Sequence, residues 1–594
     1  MNKIATAATL LASVCVCASA QAQSAKNRAP RAASYEYSPY EQETIDLTLA
    51  HLKREPDWHP EGKVIEAIDI VTLEVSERRD PLPRFVNIFH VVSKRSTIER
   101  EVLVRPGDVY DSVRIEESAR NLRALVQLSV VLCVAVKGND PRRVRLVVIT
   151  KDIWSLRLNS DINYSSGGLE YLSLQPSEMN LFGTHHTAGL RFYLDPASVT
   201  FGAQYVVPRL TSYQLRSSVM GEAIWNRNTG EAEGSAGHFV LGTGLITDRT
   251  KWWWRSTTTW RNEMTRRFVN AKLAYYDAPL TPQDDRIPFV YRTRRAVHRT
   301  SVTRSWGWRY KDDIGFGVEF DLRQYAVPDY DNVDPRALKQ WRELWVPKSF
   351  TRLSPFVQYD TYSTDHMRVL DFEILGLQED FSLGHRGIVK VYPALKDVGS
   401  TRSLVGVFSA GQYTFALRDG LVRVAMENDS QIEREGVSNG VVVASWRAIT
   451  PRLGFGRVLV DTSAVYRYRN DLNRGSTIGG NDRLRGYPSN YLVGRSLVTT
   501  NLEFRSRPVE LLKFQLGSVA FYDSAMVFHN RANAEAHQSV GVGVRALLPQ
   551  LDRVAFRLDV GFPLSAHRLP PGVSKASFFV GVGQAFSMPS IQVP

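Results

Sequence analysis

The chain has 594 residues, a hydrophobic fraction of 43% and a formal net charge of +13 at pH 7. Beyond the N-terminal region, no stretch reaches the roughly 18 to 20 consecutive apolar residues that a membrane-spanning helix needs. The basic charge is spread over arginines in strand-like segments and is not concentrated on one helix or patch. A bundle of membrane helices is therefore excluded, and nucleic-acid binding has no local support.

Residues 1–22 are predicted to be a signal peptide. Lys3 supplies the positive start, Ala5 to Val16 form the apolar stretch, and Ala18-Ser19-Ala20 or Ala20-Gln21-Ala22 is a small-residue cleavage site. The two cysteines of this segment each follow a valine, where a lipoprotein signal would have a small residue, so the lipoprotein alternative is disfavoured. The protein is therefore expected to be exported, and an exported protein rarely meets nucleic acid.

Residues 23–62 form a polar N-terminal segment with one amphipathic helical piece, and residues 63–151 then change to a mixed pattern. The strand "KVIEAIDIVTLEV" is followed by two helical stretches, "STIEREVLV" and "SVRIEESARNLRALV", and then by the strands "SVVLCVAV" and "VRLVVITKDIWSL". This order predicts a small β-α-α-β-β domain. Its cysteine, Cys133, lies in an apolar run and is interpreted as a buried small residue and not as a reactive thiol.

Residues 152–586 show alternating segments and no helix signal. In "DRVAFRLDVGFPL", for example, apolar Phe556, Leu558 and Phe562 alternate with Arg557 and Asp559. A soluble sandwich would alternate as well, but strands of about ten residues or more after a signal peptide favour a membrane barrel, which satisfies every backbone group in a bilayer. Sixteen strands would use about 27 residues for each strand and its loop. We therefore expect an all-β membrane barrel of about 16 antiparallel strands.

Two motifs that carry chemistry elsewhere are discounted. "GVSNG" at 436–440 matches a nucleophile elbow but lies between two strand-like runs, whereas the elbow needs a helix after the serine. His185 and His186 are adjacent, so in a strand their rings point to opposite faces and do not share a metal easily. No phosphate loop, dinucleotide fingerprint or paired-carboxylate signature stands out. We expect no catalytic residue, metal or cofactor, and no enzyme activity.

The small domain and the barrel together resemble a known family. "RPGDVYD" followed by "EESARNLRAL" is similar to a POTRA domain, the periplasmic module of the BamA/TamA (bacterial surface antigen) superfamily of outer-membrane barrels. "SEMNLFGTHH" resembles the E-x-N-L-x-G stretch found early in such barrels. The resemblance implies a bacterial outer-membrane barrel with its POTRA-like domain in the periplasm. One POTRA-like domain is visible, whereas essential assembly factors usually carry several.

The most specific resemblance is in "GGNDRLRGYPSN" at 479–490. Arg483-Leu484-Arg485-Gly486-Tyr487 is similar to the V-R-G-F/Y motif of the family's extracellular loop that folds into the lumen, here within 470–498. The family pairs this motif with F-x-D-x-G on a neighbouring strand, and "FYDSA" supplies Phe521 and Asp523, with Ala525 in place of the glycine. Strand alternation puts Asp523 on the lumen side, so we expect Arg485 to contact it through a bidentate pair.

The last strand resembles the family's C-terminal β-signal. In "FFVGVGQAF" the signal residues would be Phe578, Val580, Val582 and the terminal aromatic Phe586. The signal normally ends the protein, whereas a tail at 587–594 follows here.

The resemblance implies a protein that assists the insertion or translocation of outer-membrane or exported polypeptides. Its expected partners are outer-membrane lipids, client polypeptides bound through the POTRA-like domain, and accessory lipoproteins. Two alternatives stay open at this point. One is a secretion pore or a lipid or solute conduit for a dedicated partner, and the other is a surface antigen or adhesin with its specificity in long loops such as 327–349.

Overall fold

The computed structural model describes residues 37–593 except for short gaps, which are 81–82, 166, 211–214, 245–249, 331–332, 481–482, 512–513, 530–533, 549–553, 565–568, 570–572, 587, 589 and 592. The expected signal peptide and the first part of the polar segment lie outside the described residues. None of the helices in the described residues carries an apolar stretch long enough to cross a bilayer.

Residues 64–152 form a small domain in the order β-α-α-β-β. Its elements, with the helix before it, are α1 (Pro39–Leu52), β1 (Val64–Leu73), a 3-10 helix (Arg84–Phe89), α2 (Arg95–Glu99), α3 (Ser112–Arg123), β2 (Leu128–Lys137) and β3 (Arg143–Asp152). The sheet order is β1-β3-β2, with β1 parallel and β2 antiparallel to β3. Asp111 caps α3 by accepting from the backbone N–H groups of Val113 and Arg114.

The core of this domain packs the two helices on one face of the sheet, around Ile65, Leu122, Leu128 and Val148. Cys133 is packed against this core, and burial raises the pKa of its thiol to about 12. The reactive thiolate is therefore disfavoured at neutral pH.

The rest of the chain is almost entirely strand. The first group is β4 (Leu156–Ser165), β5 (Gly168–Leu181), β6 (His186–Leu194), β7 (Ser198–Leu210), β8 (Leu215–Asn226), β9 (Ala232–Thr243), β10 (Trp252–Arg266), β11 (Phe268–Val269), β12 (Lys272–Leu273), β13 (Tyr275–Tyr276), β14 (Ile287–Pro288), β15 (Val290–Gly307) and β16 (Tyr310–Ala326). A helix, α4 (Pro335–Trp345), follows in the next connection.

The second group completes the chain. It is β17 (Phe350–Ser363), β18 (His366–Leu370), β19 (Gln378–Ser382), β20 (Gly384–Ala394), β21 (Leu404–Leu417), β22 (Gly420–Glu433), β23 (Gly436–Ile449), β24 (Gly456–Asn470), β25 (Ser476–Ile478), β26 (Leu492–Gly494), β27 (Ser496–Ser506), β28 (Val509–Leu511), β29 (Phe514–Phe528), β30 (Glu535–Leu547), β31 (Phe556–Leu564) and β32 (Ser577–Val582), with a short 3-10 helix (Lys396–Val398) after β20.

Among the described residues, twenty strands close into one antiparallel barrel, in which β32 pairs with β4 and the short β28 adds one extra piece. The expectation of about 16 strands is therefore wrong. Several connections are only two residues long, such as 308–309, 418–419 and 434–435, so the chain has room for more strands than long loops would allow.

The barrel has an apolar outer face and a charged interior. In β31, Phe556, Leu558 and Phe562 are exposed on the outside, whereas Arg557 and Asp559 are buried inside. This pattern is the reverse of a soluble sandwich and is typical of a barrel surrounded by lipid. Because β4 follows β3 directly, we call the barrel end next to the small domain the domain end and the opposite end the loop end.

Candidate lumen site and barrel seam

The connection between β24 and β27, residues 471–495, starts at the loop end and folds into the lumen. We call it the lumen loop. Its chain reverses within a few residues, because Gly480 donates its backbone N–H to the carbonyl oxygen of Tyr487 at 2.9 Å. Arg483 and Gly486 both have positive φ, 64° and 109°, and the larger value suits glycine. Asn481 and Asp482 lie outside the described residues.

Arg485 lies at the centre of a fully buried ionic cluster. Its Nε and Nη2 donate to the two carboxylate oxygens of Asp523, each at 2.8 Å, and its backbone N–H donates to the same carboxylate at 3.1 Å. Nη1 donates to Glu503 at 2.7 Å and to Asp559 at 3.3 Å. The guanidinium carbon lies 3.5 Å from the centre of the Phe521 ring. The contact expected between Arg485 and Asp523 is present, with Phe521 beneath it.

The cluster ties together the neighbouring strands β27 and β29 with β31, which is separated from β29 by β30. Glu503 lies on β27, Asp523 on β29 and Asp559 on β31. Sequence reasoning did not single out Glu503 or Asp559 as partners. Both lie on the polar face of an alternating strand, so counting charged residues on the lumen face of neighbouring strands would have found them.

Further arginines balance the three carboxylates. Arg505 donates to Glu503 at 2.9 Å and Arg545 donates to Asp559 at 2.6 Å. A buried carboxylate without such partners would be costly, because each charge loses its hydration. Every carboxylate of the cluster is therefore held by at least one guanidinium.

Three glycines let the lumen loop approach the wall closely. A Cβ at Gly561 would lie 2.6 Å from the backbone nitrogen of Gly486, and a Cβ at Gly541 would lie 2.2 Å from the Phe521 ring. A Cβ at Gly486 would lie 2.9 Å from the Cβ of Ser539. The absence of side chains at Gly561 and Gly541 thus leaves room for the Arg485 backbone and for the Phe521 ring beneath its guanidinium.

The other motif residues fill apolar space beside the cluster. Leu484 is fully buried and packs with Ala525, the residue that stands in the family's glycine position. Tyr487 is buried with its ring 5.7 Å from that of Tyr491 and 5.5 Å from that of His537. The methyl group of Ala525 is therefore part of the packing and does not displace the loop.

A second anchor holds the loop next to the first. Arg483 forms an ion pair with Asp461, which also accepts from Arg447 at 2.5 Å. Asn501 donates both to the carbonyl oxygen of Arg483, at 2.8 Å, and to Asp523, at 2.7 Å. The two anchors are thus joined by one amide side chain.

The lumen loop also reaches the first strands of the barrel. Ser489 donates its backbone N–H to Glu170 on β5 at 3.2 Å, and its hydroxyl accepts from Asn163 on β4 at 2.6 Å. The loop is therefore attached to β29 and β31 through Arg485 and to β4 and β5 through Ser489. It spans the junction where the barrel closes.

In the described residues, the ladder at that junction has fewer residue pairs than any other ladder between neighbouring barrel strands, apart from the ladder of the short β28. The ladder between β32 and β4 has three residue pairs, from Phe578–Tyr164 to Val580–Ile162, whereas β15 and β16 share sixteen. We call the β32–β4 junction the seam.

The structure corrects one predicted residue of the last strand. Phe578 and Val582 are exposed on the outer face of β32, with Val580 between them in the same alternation. The strand ends at Val582, and Gly583, with a φ of 89°, turns the chain inward. The prediction that Phe586 is the terminal aromatic of this strand is therefore wrong.

Phe586 instead lies in the lumen. Its ring centre is 5.1 Å from the guanidinium carbon of Arg447, 5.4 Å from that of Arg483 and 5.9 Å from that of Arg485. Further along, Ile591 packs with Phe408 of β21. We call residues 583–593 the inner segment, because their described part runs from the domain end into the lumen.

The small domain contacts the barrel at the domain end. Arg123 of α3 donates to both carboxylate oxygens of Asp380, at 2.7 and 3.2 Å, in the connection between β17 and β20. Asn180, in the E-x-N-L-x-G stretch, donates to the carbonyl oxygen of Val91 at 2.9 Å. That stretch is therefore part of the interface with the small domain.

The two discounted motifs have structural roles. Burial lowers the pKa of His185 to about 4, and its Nε2 lies 2.6 Å from the Ser93 hydroxyl at the domain interface, whereas His186 contacts the hydroxyl of Tyr205 at 2.9 Å. Gly436 to Gly440 begin β23 and pair with β22, so Ser438 lies in a strand and not on an elbow. No group of residues in the described part of the chain has the composition of a metal site.

A closed antiparallel barrel with an apolar outer face and a charged lumen is a transmembrane β-barrel. Within it, residues 473–586, which include most of the lumen loop and the seam strand β32, match the family model described as "Omp85 superfamily domain". The resemblance expected from the motifs is confirmed at this level. An Omp85 barrel belongs to the bacterial outer membrane.

The chain is also similar to solved barrels. These include BamA from Haemophilus ducreyi lacking POTRA domains 1-3, at 13% identity over 93% of this chain and 95% of that chain with a TM-score of 0.34. CdiB from Escherichia coli matches at 13% identity over 88% of this chain and 77% of that chain, with a TM-score of 0.42. The FrpB iron transporter from Neisseria meningitidis matches at 9% identity over 89% and 96%, with a TM-score of 0.36. No curated protein matches significantly.

Proposed function

We propose that the protein assists the insertion or translocation of outer-membrane or exported polypeptides, without enzymatic chemistry. The observation that carries this proposal is the seam. On its β32 side, the described ladder of β4 covers only Ile162 to Tyr164, so residues 158–161 of the strand lie outside it. An extended client segment would add to this edge by β-augmentation.

The lumen loop would control access to that edge. It is attached on one side of the seam through Arg485 and on the other through Ser489. While both attachments hold, β4 and β31 are kept at a fixed separation even though few backbone bonds join β32 to β4. Release of the loop would let the seam open.

The small domain would act as a POTRA-like domain in the periplasm and receive clients. Its strand β2 is an edge strand, and part of that edge is already covered, because Lys137 donates its backbone N–H to Glu55 at 3.0 Å and Asp57 donates to Ala135 at 2.9 Å. A client strand would add beyond this covered end, toward Ser129. Accessory lipoproteins would bind the same domain.

The test is to lock the seam covalently. Val580 and Ile162 are directly paired across it, so the double variant Val580→Cys with Ile162→Cys, in a Cys133→Ser background, can form a disulfide there. The matched control joins Val542 and Val560, which pair between β30 and β31. If the seam opens for clients, oxidation of the first pair abolishes function and reduction restores it, whereas oxidation of the control has no effect. Full function with the seam disulfide formed would overturn the proposal.

A dedicated secretion or transport pore is a second candidate, because the lumen contains a cavity of about 670 Å³ whose wall includes Arg255, Arg295 and Arg299. The two candidates are separated by depleting the protein and quantifying all outer-membrane proteins. A broad fall supports assembly, and the loss of one secreted partner supports dedicated secretion.

A further inference from the structure

A cavity of about 640 Å³ at the loop end has no carboxylate among the described residues that line it. Its wall includes five arginines, which are Arg266, Arg267, Arg467, Arg474 and Arg495. The larger lumen cavity is also rich in arginine, but Glu427 and Asp429 are part of its wall. The loop-end cavity therefore concentrates positive charge in its wall, and the nearest counter-charges, Asp321 and Asp429, act on Arg474 from outside that wall.

Two of the five arginines are already engaged. Arg266 forms an ion pair with Glu233. Arg267 donates to the carbonyl oxygens of Asn490 and Tyr491 at 3.2 and 2.9 Å, and so supports the lumen loop. These two arginines shape the cavity and are not needed for a ligand.

The other three, Arg467, Arg474 and Arg495, form no ion pair with any described residue. Arg467 donates to the hydroxyl of Ser476 at 2.6 Å and to the carbonyl oxygen of Arg495 at 2.7 Å, both neutral acceptors. The side-chain Nε of Arg495 is buried without a hydrogen-bond partner. Three guanidinium groups that share one cavity repel each other, and an anion between them would relieve this repulsion.

The position of these arginines follows from the fold. Arg467 is on the lumen face of β24, while Arg474 and Arg495 stand at the two ends of the lumen loop, where the β25–β26 ribbon brings those ends together. Aromatic rings, including Tyr291 and Tyr325, line the same cavity. Guanidinium groups and aromatic rings in one cavity suit a sugar that carries phosphate.

We propose that this cavity binds a multiply charged phosphate ester, such as a phosphorylated sugar, through Arg467, Arg474 and Arg495. Arginine matches phosphate because its planar group can donate two parallel hydrogen bonds to one phosphate. The ligand would arrive either as a soluble molecule or as the headgroup of a phosphorylated glycolipid, since both present the same chemistry. A bound phosphate would also join the two ends of the lumen loop.

Titration calorimetry of the full chain in an uncharged detergent, with inorganic pyrophosphate as the probe, tests the proposal. We expect saturable binding that weakens as salt is raised. Arg474→Gln and Arg495→Gln should each weaken it by about tenfold, because each removes a charge-assisted pair. The matched control is Arg336→Gln, which removes the same charge from α4, where Arg336 is 75% exposed and paired with Asp334. It should leave the affinity unchanged.

A second arm identifies the source of the phosphate. Mixed micelles that contain bisphosphorylated lipid A are compared with micelles that contain the dephosphorylated lipid, and each variant is first shown to migrate as a folded barrel. Binding of pyrophosphate indicates a soluble ligand, and binding only of the phosphorylated lipid indicates a headgroup. The proposal is overturned if the wild type binds neither probe, or if both arginine variants bind as tightly as the wild type.

Discussion

Neighbouring strands of the barrel are joined by long ladders far from the seam and by short ladders next to it. Between β15 and β16 the ladder has sixteen residue pairs, whereas on the approach to the seam, in the described residues, the number falls from thirteen (β29–β30) to nine (β30–β31), six (β31–β32) and three (β32–β4). The Arg485 cluster lies on the strands where the ladder becomes thinner and reaches as far as β31. Side-chain ion pairs thus support this wall where backbone bonds are lost, and β32 is left outside that support.

The largest expected effect comes from removing the centre of the cluster. Arg485→Ala leaves Asp523 without its bidentate partner in a fully buried site, which should cost about 3–5 kcal/mol in the free energy of unfolding. Unfolding in urea and protease cleavage of the lumen loop measure the effect. The barrel should still insert, because the ladders remain.

Arg485→Lys is the matched variant for this prediction. It keeps the charge but loses the two parallel hydrogen bonds, so it should fall between the wild type and Arg485→Ala in stability. Equal stability of Arg485→Ala and the wild type would show that the cluster does not support this wall.

A smaller effect is expected from filling the space that the loop occupies. In Gly561→Ala the new Cβ would lie 2.6 Å from the backbone of Gly486, so the loop must move off the wall, at a cost of about 1–3 kcal/mol. Gly411→Ala is the control, because a Cβ there meets nothing within 4 Å. Urea unfolding of both variants gives the comparison, and equal shifts would contradict the close approach of the loop.

The attachment on the far side of the seam can be weakened alone. Asn163→Ala removes the hydrogen bonds that its amide donates to Ser489 and to Glu170 and should cost about 1 kcal/mol, while the Arg485 cluster stays intact. Crosslinking of the Val580→Cys and Ile162→Cys pair across the seam should slow or become incomplete, although the lumen loop remains resistant to protease at Arg485. A loop that becomes cleavable at both ends would contradict two separate attachments.

The most local effect is a pH dependence at the domain end. Burial, followed by the charge of Glu373, raises the pKa of Glu379 to about 8, in the β18–β19 hairpin that lies outside the barrel wall. Because the folded-state pKa is raised, the protonated form stabilises the hairpin, and this stability is present below the ordinary value of 4.5 and is lost as pH rises through about 8. After correction for the intrinsic acceleration of exchange with pH, protection of the hairpin amides should therefore fall between pH 4.5 and about 8. Glu379→Gln should remove this dependence, and an unchanged dependence would contradict it.

Much of the architecture could be predicted because alternation reports which face of a strand is buried. It gave the closed barrel and the lumen side of Asp523, whereas the pairing of Arg485 with Asp523 was implied by the family resemblance. The number of strands could not be predicted, because it depends on connections as short as 308–309. Glu503 and Asp559 were missed because they reach Arg485 from strands whose register is set by the whole barrel.

The sequence pattern does not predict the inward turn of the chain after β32. The alternation of "FFVGVGQAF" continues past Val582, and only the positive φ of Gly583 ends the strand and sends Phe586 into the lumen. A glycine in a strand pattern is compatible with a bulge, a bend or continued pairing. Tertiary contacts with the arginines of the lumen decided between them.

Hydrogen exchange of the folded barrel tests the central claim most directly. The account predicts that the amides of Ile162 to Tyr164 and Phe578 to Val580 exchange faster than those of β15 and β16, and that Arg485→Ala accelerates the seam while leaving β15 and β16 unchanged. Equal protection of the seam and of β15–β16, in both the wild type and the variant, would contradict it.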